Sequence, residues 1–427
     1  MWLVIVMACT VSLSQFEMAR VVIGEMPVSL AEIGVLGAFF LWWWMRTPVI
    51  PMPRWVVWGV VGIVMGVGSS FLWNFFFNTS CVLSAQEWMR GLGILKSWFV
   101  FPMICGWIVW QLSNAKISLE TKLIALMVSL LPIAMISLLG WFFGSGMTYD
   151  GRLRGWFASP NMLSMMVTPA AILSWAFFRR YVWRCDDRRN RIFMWASWVF
   201  VCVFGGVLFL TKSYSAWMAT MGALLVFEGI VFARGASSKK YLVLFVLSSV
   251  VILGLSIALL WNTPRFEHFF ERDSRSSFAS RVMIWHSAGA MIADAPIVGI
   301  GPGNFQACYL AYQQFFLPYL EWSVPEPHNI FLAFWLGGGL LGLLAFLFVL
   351  MRWFHLMSVS IMRSKDVKNV KDSADVEMHM ALVAIMVAIV IHGLFDTTYW
   401  RSALAFVFWI VFFLGIESVK KYEKKEK

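Results

Sequence analysis

A succession of apolar stretches, each about as long as a bilayer is thick, constrains the fold of this chain most strongly. A helix needs roughly 20 apolar residues to cross the hydrocarbon core of a membrane. Because 60% of the residues are hydrophobic and only 13% are charged, we predict an all-α polytopic integral membrane protein. About twelve segments are candidate transmembrane helices: 1–16, 27–45, 55–77, 94–111, 118–142, 161–178, 192–210, 214–233, 241–261, 329–350, 379–395 and 402–419.

The basic residues are distributed unevenly between the two sides of such a bundle. If the N-terminus is cytoplasmic, the inner connections and the tail after residue 419 hold 23 of the 34 Lys and Arg residues. This positive-inside bias predicts cytoplasmic N- and C-termini, and it explains the net charge of +11 without a nucleic-acid partner. We expect membrane lipids as partners. Six arginines of one inner loop are expected to be topology anchors: Arg179, Arg180, Arg184, Arg188, Arg189 and Arg191.

The longest segment outside the predicted helices is 262–328, on the outer face. It is too rich in aromatic residues to be disordered, so we predict a folded lid between helices 1–9 (residues 1–261) and helices 10–12 with the basic tail (residues 329–427). One lid helix should begin after the N-cap Ser280 and end at Asp294, and a second should cover about 304–320. The inner loop 351–377 is expected to be a solvated linker. Cys81 and Cys308 both lie outside, and a disulfide between them is an option that the sequence does not decide.

Most candidate functional residues lie at the outer face and are cationic. Arginine pairs with phosphate oxygens at two points, so several cations around one cavity suit a diphosphate. His328 is suited to accept a proton near neutral pH. Two simpler alternatives stay open: Arg281 could only snorkel or pair with Asp294, and His328 could only cap a helix. The candidate cations are Arg152, Arg154, Lys212, Arg281, Arg401 and, in the long loop, Arg265, Arg272 and Arg275, with Tyr214, Glu326, Asn329, His392, Asp396 and Tyr399 nearby.

Two further patterns receive structural interpretations. The run Gly299-Ile-Gly301-Pro-Gly303 lacks the strand–helix context of a dinucleotide site and is predicted to be a tight turn. The cluster Gly337, Gly338, Gly339 and Gly342 suits close helix packing.

Glu17 and Glu25 could bind a metal ion, but they lack Asp-x-Asp spacing. We therefore expect a mechanism without a metal or another cofactor.

Four motifs together resemble the O-antigen ligase and O-antigen polymerase superfamily of bacterial envelope enzymes over about residues 85–415. They are Arg152-Leu-Arg154-Gly155-Trp-Phe-Ala-Ser-Pro160-Asn161, the segment from Ser280-Arg281 to Asn304-Phe305, His328-Asn329 before the glycine-rich helix, and His392-Gly393-Leu-Phe-Asp396. The resemblance implies a glycosyltransferase C fold in the bacterial inner membrane, with a periplasmic active site and no metal. It also implies an undecaprenyl-diphosphate-linked glycan donor, with Arg281 binding the diphosphate and His328 assisting the acceptor hydroxyl.

The sequence departs from the superfamily pattern at one position. Leu210-Thr211-Lys212-Ser213-Tyr214 resembles its Leu-Thr-x-Ser-Arg segment, but Tyr214 stands where an arginine is expected. Lys212 could supply the charge, although two residues apart on a helix means roughly opposite faces. The resemblance predicts a ligase that transfers the glycan to lipid A-core. A repeat-unit polymerase, a protein O-oligosaccharyltransferase, a transporter of the same lipid and a non-catalytic assembly protein are the alternatives.

Overall fold

The computed structural model is a bundle of long helices. It describes residues 2–16, 20–23, 26–77, 81, 85–114, 117–182, 184, 186–235, 237–260, 277–316, 322, 324–363 and 370–425. The α-helices in this part of the chain are α1 (Trp2–Ser14), α2 (Leu30–Trp44), α3 (Arg54–Phe77), α4 (Ala85–Ile94), α5 (Phe101–Gln111), α6 (Leu119–Ser129), α7 (Leu131–Phe142), α8 (Pro160–Val182), α9 (Arg188–Thr211), α10 (Tyr214–Ala233), α11 (Lys239–Leu260), α12 (Ser277–Asp294), α13 (Phe305–Tyr312), α14 (Ile330–Arg363), α15 (Val370–Gly393) and α16 (Ser402–Lys425).

Each of the apolar segments predicted from the sequence overlaps one or more of these helices. Within the described residues, eight helical stretches are long and apolar enough to cross a membrane. Shorter apolar helices, Val4–Ser14, Leu30–Trp44 and Glu377–Gly393, accompany them. The protein is therefore an all-α polytopic membrane protein, as predicted. A π-helix (Leu95–Val100) joins α4 to α5, and two short hairpins that the apolar pattern did not reveal are β1–β2 (Arg20–Ile23 and Met26–Ser29) and β3–β4 (Thr148–Tyr149 and Arg152–Leu153).

The glycine cluster of α14 packs closely against α3. A Cβ atom on Gly66 would lie 2.5 Å from the amide nitrogen of Gly342, and one on Gly338 would lie 3.1 Å from Val67. The two backbones therefore approach within a distance that larger side chains would prevent. This confirms the packing role predicted for the cluster, with Gly339 as an exception.

Gly339 interrupts α14 and receives the glycine turn of the lid. Its φ of 64° and ψ of −172° are not helical. The break exposes backbone groups that the turn satisfies, because the Leu340 amide donates to the Ile297 carbonyl at 2.9 Å and the Ile300 amide donates to the Leu336 carbonyl at 2.8 Å. Gly299 adopts a φ of 69°, and a Cβ atom there would lie 2.4 Å from the Leu336 oxygen. The predicted tight turn is confirmed, and it docks the lid onto a broken membrane helix.

The lid has an apolar core of its own, built from α12, α13 and Leu336 of α14. A disulfide joins Cys308 of α13 to Cys81, across a sequence separation of 227 residues.

Two predicted helix bounds were wrong. The first lid helix begins at Ser277, so Ser280 lies within it and is not its N-cap. The second ends at Tyr312 and continues as the 3₁₀ turn Gln313–Phe315; residues 262–276 and 317–321 lie outside the described residues.

The opposite end of the bundle carries buried ion pairs. The Arg179 side chain is 1% exposed and pairs with Glu228 at 3.0 Å and Glu377 at 2.9 Å. Lys122 and Glu417, which are also buried, pair at 2.8 Å. Buried charges must be paired to be tolerated, so these contacts bind helices together. Arg179, one of the six arginines predicted to be topology anchors, is therefore a buried and paired residue.

Segment 351–377 differs from the solvated linker that the sequence predicts. Its described residues belong to α14 and α15. Trp353 is fully buried, and its indole donates to the Phe412 carbonyl at 2.9 Å. The apolar positions Trp353 and Met357, one turn apart, allow α14 to continue beyond residue 350 because they pack against the bundle. Residues 364–369 lie outside the described residues.

Candidate functional site

A carboxylate in the turn between α15 and α16 contacts polar side chains from several elements at one end of the bundle. Oδ1 of Asp396 lies 3.0 Å from Nδ1 of His328 and accepts the Thr397 amide at 2.9 Å. Oδ2 accepts from the Asn161 amide at 2.9 Å and lies 3.7 Å from Nη2 of Arg281. Asp396, predicted only as a supporting residue, thus connects the turn with α8, the lid and the start of α14.

The start of α14 fixes the position of His328. Asn329 caps the helix, since its side-chain oxygen accepts the amides of Phe331 and Leu332, and its side-chain nitrogen donates to the Leu394 carbonyl at 3.0 Å. His328 itself adopts a φ of 48°, a conformation that non-glycine residues seldom take outside constrained sites. Its imidazole is one-third exposed. With Nδ1 against Asp396, Nε2 is the ring nitrogen without a hydrogen-bond partner among the described residues.

The guanidinium of Arg281 is held at Nε and Nη1 by groups of Phe395 and Ser277. Nε donates to the Phe395 carbonyl at 2.6 Å, and Nη1 donates to both the carbonyl and the hydroxyl of Ser277. Nη2 is the group that approaches Asp396. Burial lowers the pKa of Arg281, and Asp396 opposes that shift. Asp294 instead accepts a bond from Tyr312, so the alternative pairing of Arg281 with Asp294 was wrong.

The β3–β4 hairpin presents Arg152 to the same network. Asp150 and Gly151 form its turn with φ values of 51° and 64°, and Arg152 pairs with Tyr149 across the hairpin. Nη2 of Arg152 donates to the Asn161 oxygen at 3.0 Å, and Nε donates to the Thr211 carbonyl at 2.9 Å. Arg152 therefore lies two hydrogen bonds from Asp396, through Asn161.

The other predicted diphosphate contacts are Lys212, Tyr214 and Arg154, which lie near the residues of this network in the chain. Lys212 ends α9 in a left-handed conformation with a φ of 47°, next to the Thr211 carbonyl that Arg152 contacts. Tyr214 begins α10, and its ring packs edge-on against Trp217 at 5.8 Å between centroids. Arg154 follows the hairpin, with its amide bonded to the Met147 carbonyl. Lys212 is thus close in space to the Arg152 contact, which helical spacing alone did not indicate.

Glu326, Thr397 and Arg401 form a second polar group that adjoins the first. The Thr397 hydroxyl donates to Glu326, and Nη2 of Arg401 lies 3.0 Å from Oε1 of the same carboxylate. Burial raises the pKa of Glu326, while Arg401 and Thr397 oppose the shift. Tyr399 is different, because its hydroxyl accepts from Trp409 in the aromatic core and the residue is 1% exposed. It supports the turn from inside the bundle.

The charges around Asp396 favour its ionised form. Burial alone would raise the pKa of Asp396, but His328, Arg281 and His392 together hold it well below its ordinary value. Asp396 therefore stays a carboxylate that orients the His328 ring and balances Arg281. This arrangement can accept a proton at Nε2 and can offer guanidinium N–H groups to an anion nearby.

Sequence reasoning did not assign roles to three polar residues of the network. Asn161 appeared only as the end of a motif, yet it joins Arg152 to Asp396. Thr397 links Asp396 to Glu326, and Ser215 contacts Nε2 of His392 at 3.1 Å. Small polar residues at helix ends are common, so only their placement identifies them. Among the described residues no group of three His, Cys, Asp or Glu side chains could hold a metal ion, and Glu17, Glu25, Arg265, Arg272 and Arg275 lie outside that part of the chain.

Comparison with known protein families gives a match over part of the chain. Residues 198–347 match a family described as O-antigen ligase. The matched region includes Arg281 and His328, whereas Arg152, Asn161 and Asp396 lie outside it. No curated protein matches the chain. The match confirms the predicted O-antigen ligase and polymerase superfamily.

Proposed function

Because this chain carries an O-antigen ligase domain, we propose that it transfers a glycan from an undecaprenyl-diphosphate-linked donor to an acceptor hydroxyl. The proposed reaction is that of an O-antigen ligase, with lipid A-core as the acceptor, and it needs no metal. The observation that carries this proposal is the contact of His328 with Asp396 beside Arg281. It combines an oriented proton acceptor with a cation suited to a leaving phosphate.

In the proposed step, the acceptor hydroxyl attacks the anomeric carbon of the donor sugar. Nε2 of His328 takes the hydroxyl proton as the new carbon–oxygen bond forms, and the bond from the anomeric carbon to the phosphate oxygen breaks. The electron pair of that bond leaves with undecaprenyl diphosphate. A single displacement of this kind inverts the anomeric configuration. Asp396 holds the imidazole in place and stabilises the imidazolium that results.

Arg281 is the proposed main contact of the leaving diphosphate. Its Nη2 atom adjoins the His328–Asp396 pair, while Nε and Nη1 are committed to backbone carbonyls that fix its direction. A preorganised cation stabilises charge that develops during the reaction without moving. We assign Arg152 to the same phosphates and to positioning Asn161. Lys212, Arg154 and Tyr214 are proposed as outer contacts of the donor.

The proposed setting is the inner membrane, with the site on the periplasmic side and both termini in the cytoplasm. The positive-inside distribution supports this orientation. The disulfide between Cys81 and Cys308 supports it independently, because disulfides persist in oxidising compartments such as the periplasm. We further propose about twelve spans in a glycosyltransferase C arrangement, with residues 1–261 and 329–427 forming the membrane part and residues 262–328 the lid.

A polymerase of repeat units or a protein O-oligosaccharyltransferase would use the same groups on another acceptor. A transporter would move the lipid without a new glycosidic bond. Reconstitution of the purified protein in liposomes with a defined undecaprenyl-diphosphate glycan separates these cases. A product linked to lipid A-core supports the ligase, and products linked to glycan repeats or to protein support the other two enzymes. Transbilayer movement of the donor with no product would overturn the enzymatic proposal.

A further inference from the structure

A cleft between the lid and the membrane helices adjoins the site but holds none of the groups assigned to proton transfer. It encloses about 390 Å³, its open mouth included. Its walls come from α4 and the π-helix, the glycine turn, the segment before His328, and α14. The lining residues used below are Arg90, Trp98, Glu326, Pro327, Gly337 and Trp400.

Two tryptophans give the cleft an aromatic wall. The Trp98 and Trp400 rings meet edge to face, with 6.1 Å between centroids and an angle of 85°. Trp400 is 4% exposed and depends on Gly337, where a Cβ atom would lie 2.1 Å from its ring. Trp98 is only partly buried, and the Arg401 guanidinium lies over its ring at 5.4 Å. Trp98 is therefore the ring that a ligand in the cleft would meet.

The π-helix holds Trp98 in this position. On one side of the segment, Nζ of Lys96 pairs with Glu32 at 2.9 Å, and the Ser97 hydroxyl donates to the same carboxylate at 2.5 Å. Glu32 is 1% exposed, so these bonds anchor the widened turn from within the bundle. Such single π-turns are frequent at functional sites because they redirect a side chain that an α-helix would place elsewhere.

Polar groups connect the cleft with the proposed reaction centre. Glu326 lines the cleft and accepts the Thr397 hydroxyl, and the Thr397 amide donates to Asp396. Pro327 lines the same wall and directly precedes His328. A ligand that contacts Pro327 would thus touch the residue that precedes the proposed base in the chain. Arg90 lies at the exposed mouth of the cleft.

We propose that this cleft binds a saccharide unit of a glycan substrate, with Trp98 as its main contact. An indole ring offers an apolar body that matches the C–H face of a sugar, and a carboxylate with neighbouring cations satisfies hydroxyl groups. A lipid chain would make no favourable contact with the Glu326 carboxylate in the wall or with Arg90. The sugar belongs either to the donor or to the acceptor, which share this chemistry. The inference rests on the proposed function, because that function supplies the two glycans.

The proposed saccharide site is tested by measuring the steady-state kinetics of glycan transfer by the full-length protein and by its Trp98→Ala and Trp98→Phe variants. We expect Trp98→Ala to raise the KM for one glycan substrate about tenfold with little change in kcat, and Trp98→Phe to raise it less, since a ring remains. A rise for the acceptor oligosaccharide assigns the cleft to the acceptor, and a rise for the lipid-linked donor assigns it to the donor. The control Trp58→Ala, at a 71% exposed position of α3, should change neither.

Two results would overturn the proposal that the cleft binds a saccharide. They are unchanged KM values for both substrates in Trp98→Ala, or an equal loss of kcat in the Ala and Phe variants. A second measurement does not depend on turnover. Saturation-transfer NMR with the lipid-free donor glycan and with the free acceptor oligosaccharide should show binding of one of them to the wild type and its loss in Trp98→Ala. If the wild type binds one of the sugars but transfers no glycan, the proposed reaction is wrong and the proposed saccharide site is supported. If the wild type binds neither sugar, the proposed saccharide site is refuted.

Discussion

Nδ1 of His328 lies 3.0 Å from Oδ1 of Asp396, although the two residues are 68 positions apart in the chain. The contact joins the start of α14 to the turn that follows α15. It fixes the orientation of the imidazole and directs Nε2 away from the carboxylate. The same relation between a carboxylate and a histidine serves proton transfer in unrelated enzymes, where the carboxylate stabilises the imidazolium without taking the proton.

Asp396→Asn should lower stability by about 1.5–3 kcal/mol at pH 7, because charge-assisted bonds to His328 and Arg281 are lost. The pKa of Asp396 in the folded protein lies below its ordinary value of 3.8. Its contribution is thus fully present above pH 3.8 and is lost as the pH falls through the lower, folded-state pKa. Thermal unfolding in detergent should show a gap between the two proteins at pH 7 that narrows below about pH 4. A gap that closes between pH 5 and 7 would contradict this assignment.

Asn161→Asp should be more harmful than Asn161→Ala. The wild-type amide donates to Asp396 at 2.9 Å, so a carboxylate at that position would place two negative charges in contact. We expect a larger loss of transfer rate and a lower unfolding temperature for the Asp variant than for the Ala variant. The comparison needs only initial rates and melting curves of the two purified proteins. Equal effects of the two substitutions would mean that Asn161 does not act on Asp396.

Gly339→Ala should destabilise the protein by about 1–3 kcal/mol. Gly339 adopts a φ of 64°, and an added Cβ atom would lie 2.2 Å from the Ile297 oxygen. The matched control is Gly205→Ala in α9, where a Cβ atom would meet nothing within 4 Å and the helical propensity of alanine is favourable. Thermal unfolding measures both. The docking of the glycine turn into α14 would be disproved by equal stability of the two variants.

Cys308→Ser should loosen the lid. The disulfide with Cys81 closes a long loop, and its loss should lower stability by about 2–4 kcal/mol. Hydrogen exchange should then rise in α12 and α13 more than in α8, because the lid core remains while its tether is cut. Cys9→Ser, at an exposed free cysteine, is the control and should leave exchange unchanged. Unaltered exchange in Cys308→Ser would show that the disulfide does not hold the lid.

The helices and the cationic character of the candidate site were predictable from the sequence, because apolar length and residue type are properties of the chain itself. The positions of Arg281 and His328 followed from motifs with a definite order. The continuation of α14 beyond residue 350 was not predictable, since it depends on Trp353 finding a buried partner in α16. Apolar periodicity also does not predict that α14 is interrupted at Gly339. Hydrogen bonds from the backbone of the lid replace those of the helix there.

The central position of Asp396 was the least predictable part of the site. A single aspartate near a helix end has many structural uses, and nothing in its neighbours along the chain distinguishes it. Its role arises because residues 161, 281 and 328, which are distant in sequence, converge on its two oxygens. The burial of Arg179 was missed for the same reason, because its partners Glu228 and Glu377 belong to other helices.

The transfer rate of His328→Ala tests the central claim most directly. A defined undecaprenyl-diphosphate glycan and its acceptor are supplied at saturation, and His286→Ala serves as the control, since His286 lies in the lid helix α12 and stacks on Phe316 away from Asp396. We predict that kcat falls about 10²–10⁴-fold in His328→Ala and stays near the wild-type value in His286→Ala. Undiminished transfer by a correctly folded His328→Ala protein would contradict the account.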